Sequence, residues 1–390
     1  MEDLEAIKPE LNRIQQRALI IGVLGLALAG AGAFVSPQQF FRSYLFGYLF
    51  WIGLALGSLV ILGLHHLVSG GWGFVIQRIL EAASRTIPVL AVLFLPIFFG
   101  MSDLYIWARP DVVAADEILQ HKSAYLNIPF FWIRAAGYFA VWSGFIYFLN
   151  KWSVEQDRTG DASLSDRLER IGGPSILFYV ITMTLASTDW VMSLDPHWFS
   201  TIFGFIFVIG QVVLTMAFAA LVLSKLAQYK PISDVIERKH FHDLGNLMLA
   251  FISLWAYVNV SQFLIIWSGN LPEEIPWYIH RMQGGWGILS VFVVVFHFLV
   301  PFVLLLMRRN KRRANVLAKI AVGVILVRFF DLYWIIAPNF YPHGIHVHWL
   351  DVVTPIGLGG IWVAAFIWQL KGRALLPVND PRLQEAFAHE

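Results

Sequence analysis

The sequence predicts an all-α, polytopic transmembrane protein of about ten helices, with most of the chain arranged as two parallel-repeat four-helix bundles. Three observations carry that expectation: a charge-poor composition, apolar runs of membrane-spanning length, and matching motifs four helices apart. Of the 390 residues, 58% are hydrophobic and 14% are charged, whereas an ordinary soluble domain carries about 25% charged residues. Mean hydropathy is +0.64. A net charge of +2 gives no argument for a nucleic-acid partner. The chain has no cysteine, so it offers no disulfide, no iron–sulfur ligand, no thioether for haem and no thiol nucleophile.

Apolar runs of about 20 residues, enough to cross about 30 Å of hydrocarbon, fall near 18–35, 44–68, 87–107, 128–149, 174–194, 201–224, 245–268, 285–307, 315–337 and 349–370. The first is read as a retained helix whose Gly and Ala residues admit a close neighbour. The longest connection, 150–173, is expected to carry a short surface helix at Leu164 to Ile171. On one side of these spans the loops hold only Arg42, Arg109, Lys122 and Arg281 as basic residues, and the remaining loop lysines and arginines lie on the other. That asymmetry predicts that both termini lie in the cytoplasm. The run Arg308, Arg309, Lys311, Arg312, Arg313 reads as a topology signal in preference to a lipid or nucleic-acid site.

Internal matches suggest a duplication. Ile128-Pro-Phe-Phe-Trp-Ile-Arg134 aligns with Ile275-Pro-Trp-Tyr-Ile-His-Arg281, and Asp189, Pro196, Trp198 and Phe199 align in step with Asp331, Pro338, Phe340 and Tyr341. The order is the same in both sets, so the repeats, about 44–199 and 201–341, are expected to run parallel. The spans at 18–35 and 349–370 are extra. Prolines at the start of a helix and aromatics at an interface also suit simple anchoring.

An ionisable group at mid-membrane costs about 2.5–3.5 kcal/mol on insertion scales, so each needs a partner, water or a function. Asp103, Arg134, Asp189 and Asp331 fall in the predicted outer half, with Arg328 about one turn deeper than Asp331. Arg328 and Asp331 share a helix face as a neutralising pair or as part of a proton route. Asp103, Asp189 and Arg134 likewise read either as a structural triad or as groups facing an aqueous inlet. His65 and His66 close the second span and His297 lies near the middle of the eighth. Their depths differ by about 10 Å at 1.5 Å per residue, which disfavours an axial pair for haem. His343, His346 and His348 lack a carboxylate or thiolate at a metal-ligand spacing and read as an exposed loop or a subunit contact.

Two stretches carry a family resemblance: Thr188-Asp-Trp-Val-Met-Ser-Leu-Asp-Pro-His-Trp-Phe-Ser-Thr-Ile-Phe-Gly204 and Ser261-Gln-Phe-Leu-Ile-Ile-Trp-Ser-Gly-Asn-Leu-Pro-Glu-Glu-Ile-Pro-Trp-Tyr278. Together they resemble the F-subunit family of bacterial alternative complex III, a relative of the NrfD and polysulfide-reductase membrane subunits. The resemblance implies a complex that oxidises membrane quinol and passes electrons to a cytochrome c, a high-potential iron–sulfur protein or a terminal oxidase. It implies partners as well: a quinol-binding C subunit, an iron–sulfur B subunit and haem c subunits, with haem c and iron–sulfur clusters on those partners and no cofactor in this chain. The related C subunit has Asp-Phe followed by Pro-Gly-Trp-His where this chain has Asp189-Trp190 and Pro196-His197-Trp198, which favours F. For F the resemblance implies support of the complex and a proton route. Asp103, Arg134, Asp189, Arg328 and Asp331 are its candidates in the outer half, with His297 and His66 further in. A quinol site in this chain and a free-standing secondary transporter are the competing readings.

Overall fold

A computed structural model describes residues 2–377 and 379–383, the side chains of 2–6 excepted. Among the described residues every regular element is helical, as lipid demands of a backbone that has no water to satisfy it. Ten long helices form the body: α1 (Glu2–Val35), α2 (Pro37–Val68), α3 (Gly71–Leu104), α4 (Ile128–Thr159), α5 (Ser163–Trp190), α6 (Phe203–Leu226), α7 (Arg238–Gly269), α8 (Trp286–Leu306), α9 (Ala314–Ile336) and α10 (Leu350–Leu370). Nine are long and apolar enough to cross a membrane, and the chain is a multi-pass membrane protein. The exception, α4, is 32 residues long; its apolarity is diluted by Trp132, Tyr138, Trp142, Tyr147 and Arg134.

Several boundaries differ from the sequence reading: the first helix starts at Glu2, well before 18, and the second at Pro37, before 44. The third span does not begin at Ile87 but at Gly71, because the polar stretch Gln77, Arg78, Glu81 is buried as part of α3. That helix bends where Pro88 and Pro96 withhold amides from the turns before them, and it passes through a 3₁₀ stretch at Leu95–Gly100. The surface helix expected at Leu164 to Ile171 is instead the start of α5, which continues through Pro174. The connection after α4 is therefore short, with Gly160 in the left-handed region closing that helix.

The helices pack as two groups of four. In the first, α2 lies against both α3 and α5, and α4 closes the ring; in the second, α6 lies against α7 and α9, with α8 completing it. The seam runs along α2, α5 and α6. α1 packs along α10 outside both groups, and here small residues decide. A Cβ on Gly22 would meet the backbone of Ile361 at 2.6 Å, and one on Gly25 would meet Gly357 at 2.8 Å. The close approach expected of the first span is real, although a Cβ on Gly30 would meet nothing within 4 Å.

The first and last described helices bring their outer ends to one face, which we call the terminal face: Tyr229 donates to Glu10 at 2.7 Å, and Arg373 reaches Glu81 at 2.8 Å. The opposite face is held by loop-to-loop contacts, such as Lys122 to the Pro196 carbonyl at 2.6 Å and the Trp286 indole to the Tyr341 carbonyl at 2.9 Å.

Candidate functional site

The aligned Arg and Asp positions of the two bundles adopt different arrangements. In the first, Arg134 on α4 spans the gap to Asp189 on α5 with two parallel bonds, Nε to Oδ2 at 2.8 Å and Nη2 to Oδ1 at 2.9 Å. Its third donor, Nη1, reaches the Tyr125 carbonyl at 2.9 Å, and its guanidinium lies 3.8 Å from the Tyr125 ring centre. Tyr138, one turn beyond Arg134, donates to Asp189 at 2.7 Å. Asp189 is fully buried. With both carboxylate oxygens engaged, this fork is a closed, neutralised contact in which loss of either partner would strand a buried charge. Asp103 does not join it; it sits half-buried near the end of α3 and makes no hydrogen bond or ion pair with the described residues. The triad read from the sequence is therefore a pair plus Tyr138. The spacing of four from Arg134 to Tyr138 was the available sign, since residues so placed share a helix face.

In the second bundle Arg281 does not reach Asp331. It turns to the carbonyls of Trp277 and Ile335 and lies 3.6 Å from the Trp277 ring centre. Asp331 is ion-paired along its own helix with Arg328 through Oδ2, and both groups are buried. Room for the Arg328 guanidinium comes from Gly210 on α6, where a Cβ would stand 2.3 Å from it. Asp331 also lines a cavity of about 270 Å³ between α7, α8 and α9, together with Trp255, Asn259, Tyr278, Ser290 and Trp334. Val260, Met282 and Val294 at its rim are more than half exposed, so the cavity opens on the lipid-facing flank.

His297 belongs to the same neighbourhood. It lies in a π-helical turn, Val294–Leu299, that forms where Pro301 has no amide to give the His297 carbonyl four residues earlier. The ring is fully buried, 4.4 Å from the Trp255 ring centre, and neither nitrogen has a hydrogen-bond partner. Trp255 also faces Asp331, with no completed bond from its indole N–H. Asp331 and His297 thus both face one tryptophan that the sequence reading did not single out, with Arg328 joined to them through Asp331. A buried imidazole with two open nitrogens is an unpaid desolvation cost, the kind kept where a group must exchange protons or water.

His66 is far from this group. It is buried near the terminal face at the end of α2, its ring 5.0 Å from that of His65, with both nitrogens unpartnered. His65 fits only because Gly73 has no side chain: a Cβ there would lie 1.9 Å from its Nδ1. Beside it runs a network absent from the sequence reading. His65 contacts Gln77 at 3.2 Å, Gln77 donates to Glu81 at 2.9 Å, and Glu81 also accepts from Ser153 at 2.6 Å, Arg78 at 2.6 Å and Arg373 at 2.8 Å. Arg78 in turn holds both oxygens of Asp157. Two acids balance two bases. Arg78 and Glu81 alone, three apart, read as a solvated helix face, and only α4 and the tail after α10 bury them.

Another buried acid, Asp351 in the first turn of α10, accepts from Ser43 at 2.6 Å and Gln39 at 3.0 Å. Between the two ends of the molecule, Tyr179 donates to Gln211 at 2.6 Å, and Gln211 shares with Arg328 a cavity of about 10 Å³ at the seam, close to the room of a single water. Comparison with protein-family models and with curated proteins finds no match for this chain.

Proposed function

We propose that this chain is a non-catalytic membrane subunit of a quinol-oxidising electron-transfer complex of the alternative complex III type, in the bacterial inner membrane with both termini cytoplasmic. On this reading it braces the complex and carries a proton route through its second bundle. Haem c and iron–sulfur clusters reside on partner subunits, beside a quinol-binding C subunit and an iron–sulfur B subunit. The motif resemblance supports the assembly. One observation favours the second bundle for protons: Asp331 is buried and paired on one side yet lines an open cavity, whereas Asp189 is sealed.

The residues have distinct parts in this reading. Asp331 takes up and releases a proton at its carboxylate, Arg328 holds that carboxylate in place, and His297 accepts or donates at either open nitrogen. Gln211 and Tyr179 extend the polar line across the seam towards α2, and His66 with the Glu81 network lies at the terminal-face end. Arg134 and Asp189 are assigned to structure. Asp103, standing apart, has no part beyond its place near the opposite face.

Two measurements test the proposal. Native protein extracted in mild detergent should copurify with c-type haem, visible by its absorbance; a colourless, solitary chain would sink the assembly reading. Asp331→Asn should lower the number of protons moved per electron while quinol turnover holds. Unchanged stoichiometry would remove Asp331 from the route.

A further inference from the structure

The basic run after α8 does more than mark a side of the membrane. Lys311 turns inward, its stem against Gly245 and its ammonium on Asn246 at 2.6 Å. Arg309, Arg312 and Arg313 stay exposed and converge with Arg238, at the start of α7, on a groove of about 770 Å³. None of these four guanidiniums has an ion pair or hydrogen bond with the side chains of the described residues. The groove's one acid, Glu237, is engaged in capping α7, where it accepts from the His240 backbone. Four guanidiniums facing one hollow, against the single carboxylate of Glu237, leave an excess of positive charge suited to phosphate.

A second feature gives that charge a tail. From Val316, which the groove shares, a furrow of about 370 Å³ runs between α8 and α9 past Leu304, Ile320, Gly323 and Val327. It is open to the lipid-facing flank at Phe296 and Val300. Gly323 forms part of its floor, and a Cβ there would meet nothing within 4 Å. Lys319 stands exposed one turn inside the mouth.

We infer that the second bundle carries, at the terminal face, a binding site for an anionic phospholipid. Its phosphates lie among Arg238, Arg309, Arg312 and Arg313, and one acyl chain lies in the furrow above Gly323. Even with the Glu237 carboxylate counted, the four guanidiniums exceed the charge of a single phosphodiester, so a lipid bearing two phosphates is the preferred occupant. This inference goes beyond the proposed function and needs neither partner subunits nor electron transfer.

The test uses the full chain, stripped of lipid in neutral detergent. It is titrated with cardiolipin, phosphatidylglycerol, phosphatidylcholine or inorganic pyrophosphate, and native mass spectrometry and thermal unfolding are read together. Cardiolipin should bind at least tenfold more tightly than phosphatidylcholine, with phosphatidylglycerol between, and should raise the unfolding temperature. At about 1 kcal/mol per basic residue near a lipid surface, the double variant Arg238→Gln/Arg312→Gln should bind cardiolipin about thirtyfold more weakly. Gly323→Leu, which fills the furrow without touching the arginines, should weaken the lipid and leave unfolding in detergent unchanged. Equal binding of the zwitterionic lipid, or full binding by the double arginine variant, would overturn the site. Pyrophosphate that binds wild type and Gly323→Leu alike, as tightly as the lipid does, would overturn it in favour of a soluble phosphate ligand.

Discussion

The two bundles place an Arg and an Asp at aligned positions and use them in opposite ways. In the first, Arg134 and Asp189 join two helices through a two-bond fork that a tyrosine completes. In the second, Arg281 is diverted to backbone carbonyls, Asp331 pairs with Arg328 on its own helix, and a cavity occupies the space a fork would have closed. Part of the reason is local. Pro129 starts a helix of 32 residues that carries Arg134 directly into the bundle, while Pro276 starts only the short turn Pro276–His280 before the chain breaks at Gly284 and Gly285. Arg281 is left outside α8. A buried fork gives rigidity; an intrahelical pair beside a cavity leaves an acid next to open space.

The comparison yields effects of decreasing size. Arg134→Met should cost the most, about 3–5 kcal/mol, because it strands Asp189 as a buried, uncompensated charge. Unfolding in graded denaturant would measure this, and the double change Arg134→Met/Asp189→Leu should recover much of the loss. Asp331→Asn should cost less, about 1–3 kcal/mol, since it keeps a hydrogen-bonding side chain beside Arg328 and the cavity lets the site relax. If the same assay makes Asp331→Asn as damaging as Arg134→Met, the contrast between sealed and open sites fails. Gly210→Ala is expected to cost about 1–3 kcal/mol by pushing on the Arg328 guanidinium. It should also alter proton stoichiometry in parallel with Asp331→Asn, which a purely structural role would not do.

Smaller still is the loop contribution outside the first bundle. Asp116 caps the short helix Glu117–Lys122 and contacts His197 at 2.7 Å. Its carboxyl is held below the usual range first by the Leu119 amide and then by His197. A depressed carboxyl stabilises above its unfolded value and loses that contribution as pH falls through the lowered one. Protection of the Ile118 and Leu119 amides, taken relative to their intrinsic exchange rates at each pH, should therefore fall only in acid below the ordinary carboxylate range. A loss of protection near neutral pH would place the control in the histidine instead.

How legible the site was depended on whether its partners were near in sequence. Arg328 and Asp331 were visible as a pair because three residues set one face of one helix. Arg134 and Asp189 were both visible as lipid-buried charges, but their pairing, and the exclusion of Asp103 from it, rest on how α4 meets α5. Trp255 resembled any other interfacial aromatic until α8 brought His297 against it. The polar start of α3 lies outside the apolar runs for a related reason: Gln77, Arg78 and Glu81 look solvated until Ser153, Asp157 and Arg373 arrive from other parts of the chain.

The sequence by itself determined that this is a helical, multi-pass membrane protein, because apolar runs long enough to cross lipid are a local property and the bilayer allows such runs little but a helix. It also determined that the first span would pack closely, since glycine permits that approach wherever the neighbour comes from. Only the tertiary structure decided which charges are sealed and which stand beside open space, because neutralising a buried charge takes a partner at hydrogen-bond distance, and chain order does not fix that distance between helices.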